Sequence, residues 1–323
     1  MKNDYSNKYL IETGIGLQGV DNLKNSTYFI NESNRYIKGE ISLDELDQII
    51  TSYYKTKPAV EERSEEADEV SIRIAKIISE DSFSFSITQL LSIHKYLFEG
   101  IYEHAGTFRK YNFIKKEWVL NGDSVTYGDF RDLEETLKYD FEQEKNFNYS
   151  LLNEDKIIEH ISRFVSNLWQ IHVFEEGNTR TCAVFLIKYL KSMGFNVSND
   201  IFAKNAWYFR NSLVRANYNN YSLHIFSDNS YLIKFMRNLL LNEQNTLLNR
   251  DLRIDSGNVK TDRETTIINL IKNNSNITIE EISINLKVSL RTAKTAIKAL
   301  TTNEKIKRVG GKKLGHWEII EEK

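Results

Sequence analysis

Apolar residues recur every three to four positions along most of the chain, which is the spacing of one face of an α-helix. The clearest run, at 155–170, has its apolar positions at Ile157, Ile158, Ile161, Phe164, Val165 and Leu168. A second run covers 179–193 and is followed by Gly194, a residue type that commonly ends a helix. Weaker runs of the same kind lie near 42–54, 61–78, 87–102, 129–144, 203–217 and 231–242. The pattern predicts a mainly α-helical protein.

Two segments interrupt the helical spacing. Apolar residues on either side of Asn121-Gly122-Asp123 predict a β-hairpin within 107–127, and the polar, aperiodic stretch 246–261 predicts a linker. Ser42, with Glu45 three residues later, forms a capping box that predicts a helix start. Pro58, the one proline, marks a boundary.

The last sixty residues show a pattern of their own. Three short helical runs are followed by alternating residues around Gly310-Gly311, as in a hairpin. This is the element order of a winged helix-turn-helix. We therefore expect an N-terminal helical extension at 1–57, a helical core at 58–245, a linker at 246–261 and a winged helix-turn-helix at 262–323.

The composition indicates the class of protein and its cellular compartment, but not its activity. Hydrophobic residues make up 41% and charged residues 27%, with a formal net charge of −2, which is ordinary for a soluble globular protein. A single cysteine, Cys182, excludes an intramolecular disulfide and fits a reducing cytoplasm. The polar N-terminus lacks a signal core, and no apolar run is long enough for a membrane helix. We expect a cytoplasmic protein without membrane contact.

One short segment, 172–180, concentrates chemically useful residues between two apolar helices. Gly177 lets the backbone approach a ligand closely, and a helix beginning near Thr179 offers unpaired N–H groups to an anion. Arg180 adds a bidentate phosphate donor. These residue types predict a phosphate site.

Two further residues of this segment suggest catalysis. Glu176 is a hard oxygen ligand suited to Mg²⁺, and His172 accepts a proton near neutral pH. Phe174 would anchor the loop in the core.

The segment resembles the signature of the Fic family, H-x-F-x-(D/E)-G-N-x-R, which it matches at His172, Phe174, Glu176, Gly177, Asn178 and Arg180. Around it, roughly residues 60 to 240 look like the family's core. The stretches that carry this similarity are Leu91–Phe98, Ile101–Arg109 and Phe209–Asn217.

The resemblance implies a transfer of AMP from ATP, with Mg²⁺, to a Ser, Thr or Tyr hydroxyl of a target protein or of the chain itself. His172 would deprotonate the hydroxyl, Glu176 would bind Mg²⁺ and Arg180 would hold the departing pyrophosphate. Transfer of UMP from UTP, and a regulator whose core only senses nucleotide, are the alternatives. Family members often dimerise, so a homodimer is an open expectation.

The resemblance also implies binding roles. Asn178, with backbone N–H groups around Gly177 and Thr179, would cradle the α-phosphate, and Arg210 and Asn217 would contact adenine. The hairpin would act as a flap that pairs with a target segment by β-augmentation. Its residues are Lys115, Lys116, Glu117, Trp118, Val119 and Leu120.

Two departures from the family pattern concern regulation. Many members have glycine at the position of Thr179 and, at that of Ala183, an arginine that grips the γ-phosphate and pairs with an inhibitory glutamate. The nearest match to the inhibitory motif, Gly14–Gly19, has Gln18 at the place of that glutamate. We therefore predict an intact catalytic loop whose autoinhibition is unusual or absent.

The C-terminal module differs in charge from the whole chain. Residues 260–323 hold thirteen Lys or Arg and eight Asp or Glu, a net of +5. Arg291, Lys294 and Lys298 share the outer side of the third helix. The predicted wing carries Lys305, Lys307, Arg308, Lys312 and Lys313. Contacts to DNA phosphates are expected from this helix and wing, with a protein-docking module as the alternative.

Overall fold

The computed structural model describes residues 6–56, 63–223, 225–254, 258–286, 288–303, 305–310 and 315–320. It is mainly helical, as the periodicity predicts, and forms two compact units, Met1–Leu252 and Arg253–Lys323. Pro58 lies outside the described residues. Within the described part, no helix combines the length and apolarity that crossing a membrane requires.

Three helices open the first unit, each begun by a serine. They are α1 (Asn7–Gln18), α2 (Thr27–Ile37) and α3 (Leu43–Thr56). Ser6 and Ser26 accept hydrogen bonds from N–H groups in the first turns of α1 and α2. The capping box predicted before α3 is confirmed, because Glu45 N–H donates to the Ser42 hydroxyl while Ser42 N–H donates to the Glu45 carboxylate.

Helix α1 lies against α4 (Ser64–Ser79) and α9 (Ile201–Ala216) at backbone distance. A Cβ on Gly14 would lie 2.3 Å from the Ser71 carbonyl oxygen, and one on Gly16 would lie 2.4 Å from the Ala203 carbonyl oxygen. Glycine is therefore required at both crossings. The crossings fix α1 so that its last residue, Gln18, lies inside the unit.

The remaining helices of the first unit are α5 (Ile87–Phe98), α6 (Leu133–Lys145), α7 (Glu154–Ile171), α8 (Asn178–Ser192) and α10 (Ser230–Leu241). Helix α8 packs against α1, α4, α5 and α7. Every residue of α8 from Asn178 to Leu190 is buried, which is the pattern of a helix enclosed on all sides. The stretch 246–252, predicted as part of a linker, ends in a 3₁₀ turn at Asn249–Leu252 with Leu252 buried.

Residues 107–127, for which the sequence predicts a β-hairpin, reverse direction without forming paired strands. A 3₁₀ turn at Trp118–Leu120 makes the reversal, and Glu117 N–H donates to the Asp123 carbonyl at its base. Side chains fix the arms instead of a ladder. Arg109 donates to the Tyr111 and Gly128 carbonyls. We call residues 110–127 the flap.

The second unit contains three helices and one hairpin, in the order the sequence predicts. These elements are α11 (Asn258–Asn273), α12 (Ile279–Asn285), α13 (Leu290–Thr302), β1 (Ile306–Val309) and β2 (His316–Ile319). The strands pair antiparallel, with Ile306 opposite Ile319. A small core holds Ile267, Ile271, Ile277, Ile282, Ala293, Ile297, Leu300, Ile306 and Trp317.

Candidate functional site

The loop between α7 and α8, residues 172–177, depends on two residues with left-handed backbone. His172, directly after α7, has φ 53°, and its N–H donates to the Trp169 carbonyl at 3.1 Å. Gly177, directly before α8, has φ 75°, and a Cβ there would lie 2.4 Å from the Phe98 ring. Both the conformation and the contact require glycine at this position.

Side chains at the start of α8 hold the loop closed. The Asn178 amide accepts from the Phe174 N–H at 2.9 Å and donates to the Phe174 carbonyl at 2.7 Å. The Thr179 hydroxyl accepts from the Trp169 indole at 2.9 Å. Gly177 provides no side-chain cap, so the first N–H groups of α8 are the donors that suit an anion. The phosphate roles of Asn178 and Thr179 stay predictions that rest on these backbone groups.

His172 lies inside a cage of aromatic rings and is 3% exposed. Its ring centroid is 4.1 Å from that of Tyr127, 5.3 Å from that of Trp169 and 5.5 Å from that of Phe113. Nδ1 lies 3.3 Å from the Trp169 carbonyl, which can only accept, so the ring proton belongs on Nδ1 and the lone pair on Nε2. Nε2 has no hydrogen-bond partner within the described residues.

The surroundings of His172 keep its imidazole neutral. Burial, together with the nearby cations Lys115 and Arg109, lowers its pKa well below the ordinary value. A neutral imidazole with a free Nε2 is the form that accepts a proton. Because Phe113 and Tyr127 belong to the flap and cover the ring, a hydroxyl can reach Nε2 only when the flap shifts.

Arg180 is fully buried and has protein partners around its guanidinium. Nε lies 2.8 Å from an Asp21 carboxylate oxygen, and one terminal nitrogen donates to the Gln18 amide oxygen at 3.1 Å. The other terminal nitrogen donates to Glu66 at 2.9 Å and to the Tyr102 hydroxyl at 3.2 Å. Burial alone would lower the pKa of Arg180, but these neighbours raise it above the ordinary value.

These contacts define what the predicted pyrophosphate role of Arg180 requires. Asp21 and Gln18 come from the end of α1 and the turn after it, and Glu66 comes from α4. A phosphate could reach the guanidinium only by displacing them. Gln18 stands in the sequence where the inhibitory motif would have its glutamate. In the structure Asp21 and Glu66 supply the negative charge instead, and both pair with Arg180.

Glu176 points away from this network. Its carboxylate is 3.4 Å from the Lys115 ammonium of the flap, and 45% of its side chain is exposed. No group of three His, Cys, Asp or Glu that could hold a metal occurs among the residues the structure describes. An exposed single carboxylate beside a helix N-terminus still fits Mg²⁺, because that ion is commonly held by one or two carboxylates and substrate phosphates.

His94 positions the backbone of Glu176. Gly106 N–H donates to Nδ1 at 2.8 Å, so Nε2 carries the proton and donates to the Glu176 carbonyl at 3.0 Å. The ring stacks on Phe174 with centroids 3.6 Å apart. His94 therefore holds the loop through both a hydrogen bond and ring stacking.

We expect the buried His94 to make the protein less stable in mild acid. In the unfolded chain a histidine titrates near 6.5, whereas burial lowers the pKa of folded His94 to about 3. Between these values the unfolded state binds more protons, so the stability present above pH 6.5 is lost as the pH falls. The loss should be about 1.4 kcal/mol per pH unit. Urea unfolding at pH 7 and pH 5 measures it.

The matched variants for this measurement are His94→Gln and His316→Ala. His94→Gln should show a smaller difference between the two pH values than the unmodified chain. His316→Ala, at a half-exposed site of β2, should show the same difference. An equal pH dependence in all three proteins would contradict the assignment to His94.

Two residues expected at adenine have other contacts. Arg210 forms a bidentate ion pair with Glu117 of the flap, at 2.6 and 3.1 Å. The Asn217 amide donates to Ser166 and to the Leu213 carbonyl. Arg210 therefore ties the flap to α9, and Asn217 ties α9 to α7. Adenine contacts from either side chain stay predictions and would require these bonds to change.

Several residues that shape the site carried no assigned role in the sequence. Arg109, 2% exposed, donates from Nε to the His172 carbonyl at 2.7 Å. Glu66 pairs with both Arg180 and Arg63. Its carboxylate accepts two hydrogen bonds from the Arg63 guanidinium, at 2.7 and 2.9 Å. Glu66 lies in the charge-rich stretch 61–69, so no local signal in the sequence marks this one carboxylate as buried.

Comparisons with known proteins give a family model that matches part of the chain and a solved structure of low similarity. Residues 84–190 match the model of the Fic/DOC family, which covers the loop and both flanking helices. The chain is similar to a solved Fic family protein from Desulfovibrio desulfuricans G20, with 12% identity and a TM-score of 0.46, over 98% of this chain and 88% of that one. No curated protein sequence matches the chain.

Proposed function

Because residues 84–190 form a domain of the Fic/DOC family, we propose that this protein transfers AMP from ATP to a Ser, Thr or Tyr hydroxyl of a protein. The observation that supports this most directly is the state of His172. Its neutral imidazole with a free Nε2 begins the loop that leads into the uncapped start of α8. A base beside a set of phosphate donors is the arrangement that such a transfer needs.

The proposed step exchanges one bond to the α-phosphorus for another. The acceptor oxygen forms a bond to the α-phosphorus, the bond from that phosphorus to the oxygen bridging to the β-phosphate breaks, and pyrophosphate leaves with the electron pair. His172 Nε2 takes the hydroxyl proton. The N–H groups at the start of α8 bind the α-phosphate oxygens and stabilise their charge in the transition state. Mg²⁺ on Glu176 would neutralise phosphate charge.

The flap supports a protein as the acceptor. Its arm at 112–116 joins no strand ladder, and Ile114 is 82% exposed. Lys116 and Trp118 are exposed, whereas Val119 and Leu120 are buried. An extended arm with exposed apolar side chains suits pairing with a segment of another protein. We propose that target pairing moves the flap and opens His172.

Radiolabel transfer tests the proposal. The full chain is incubated with Mg²⁺ and a cell extract, separately with ATP labelled at the α-phosphate, ATP labelled at the γ-phosphate and UTP labelled at the α-phosphate. Protein labelling from α-labelled ATP alone is expected. Labelling from UTP alone would replace AMP with UMP, and labelling from the γ-phosphate would indicate a kinase. No labelling from any nucleotide would favour a core that only senses nucleotide.

We expect Lys115→Gln to lower the Mg²⁺ concentration that half-saturates labelling. The Lys115 ammonium forms an ion pair with the Glu176 carboxylate, so it would compete with the metal for the same oxygen. The pair is partly exposed, and such pairs contribute at most about 1 kcal/mol. The shift should therefore be about two- to fivefold. Lys116→Gln, at the exposed neighbouring position, is the matched control, and an equal shift in both variants would contradict the competition.

A further inference from the structure

The outward face of α13 carries cations that no acid neutralises. Arg291, Lys294 and Lys298 are exposed, and within the described residues none of them has an ion pair. At 100° per residue they lie within about 60° of one another around the helix. The core residues Ala293 and Ile297 are centred about 110° away around the helix. Packing of the second unit therefore directs all three cations to solvent.

The described cations in and directly before the hairpin already have protein partners. Lys305 is 3.2 Å from Glu264, and Lys307 is 2.9 Å from Glu318 across the hairpin. Arg308 lies 4.8 Å above the Trp317 ring and donates to the Gly315 carbonyl. The hairpin was expected to share the DNA contact. In the structure its described cations are held by the protein, and Lys312 and Lys313 lie outside the described residues.

A structural role does not account for the charges on α13. Arg291 and Lys294 are three residues apart, and Lys294 and Lys298 are four apart. Like charges at these spacings repel and destabilise a helix by a few tenths of a kcal/mol per pair. No acid among the described residues compensates these repulsions, which points to an anion outside the unit as the partner of this face.

The dimensions of the face suit duplex DNA. Arg291 and Lys298 are separated by about 10 Å along the helix axis, a length over which a duplex carries about six phosphate charges. Helix α12 ends at Asn285 and α13 begins at Leu290, with Ser289 capping α13. This is the element order of a helix-turn-helix, a motif whose second helix enters the major groove.

From these observations we infer that the second unit binds duplex DNA through the Arg291–Lys294–Lys298 face of α13, and not through the described part of the hairpin. The inference does not depend on the proposed transfer of AMP. A protein surface with acidic residues is the competing partner, and the experiment distinguishes the two.

Salt-dependent binding tests this inference on the full chain. Fluorescence anisotropy with a labelled 20-base-pair duplex of mixed sequence is recorded between 50 and 200 mM KCl. Three phosphate contacts should contribute about 2.7 to the slope of log affinity against log salt. The variant with Arg291→Gln, Lys294→Gln and Lys298→Gln should lose about that much slope and bind at least tenfold more weakly at 100 mM. The double variant Lys294→Gln with Lys298→Gln should lose about 1.8.

The matched control neutralises the paired lysines, Lys305→Gln with Lys307→Gln, and should change the affinity by less than twofold. Urea unfolding of each variant confirms that it is folded. An unchanged affinity in the triple variant would overturn the inference. A larger effect of the Lys305 and Lys307 variant would overturn it too, as would equal binding to heparin of the same charge.

Discussion

Labelling by the His172→Ala variant should be slower than labelling by the unmodified protein by a factor of about 10² to 10⁴, the usual contribution of a general base. The physical reason is the free Nε2 of a neutral imidazole, which can take the hydroxyl proton. Initial rates with α-labelled ATP and Mg²⁺ measure the effect.

Two controls separate a lost base from a damaged fold. His316→Ala removes an imidazole from the second unit and should leave the rate unchanged. Urea unfolding of His172→Ala should show a folded protein, since Ala removes a ring but no paired hydrogen bond beyond the 3.3 Å contact with Trp169. Labelling of a folded His172→Ala at the original rate would exclude His172 as the base.

Arg180→Met is expected to lower the free energy of unfolding by about 3 kcal/mol, the low end for removing one partner of a buried ion pair. Asp21 would lose the cation 2.8 Å from it, whereas Glu66 would keep Arg63. Urea unfolding followed by tryptophan fluorescence measures the change. Arg163→Met, at an exposed position of α7, should stay within about 0.5 kcal/mol of the unmodified protein.

The outcome for Arg180 has a functional meaning. A loss near 3 kcal/mol shows that the arginine of the signature stabilises the first unit through Asp21 and Glu66. Nucleotide phosphates would then have to compete with those carboxylates. A loss below about 1 kcal/mol would instead show that the carboxylates are easily displaced, which would favour the pyrophosphate role. Unfolding with and without ATP and Mg²⁺ distinguishes the two cases, because a ligand stabilises the state that it binds.

Local sequence patterns predicted the helices and the loop well, for physical reasons. The capping box at Ser42 and Glu45 involves atoms three residues apart, and the periodicity of α7 and α8 follows from one buried face or several. The signature at 172–180 is also contiguous. Each of these features depends on residues that are neighbours in sequence.

Other features depend on residues far apart in sequence and could not be predicted. Arg180 meets Gln18 and Glu66, which are 162 and 114 positions away. No spacing rule connects such positions. The expected hairpin shows the same limit. The local residue types predict its extended arms. Whether the arms pair with each other also depends on distant residues that bind the flap, such as Arg210, which lies 93 residues beyond its partner Glu117.

The glycine crossings of α1 determine when the first unit can be completed during synthesis. Gly16 packs against the backbone of Ala203, so the slot for α1 does not exist until α9 has emerged. At about 5–20 residues per second, this is about 10–40 s after α1 itself is made. Gln18 and Asp21 therefore meet Arg180 only at the end. The nascent chain exposes its signature loop to the cell before the N-terminal residues enclose it.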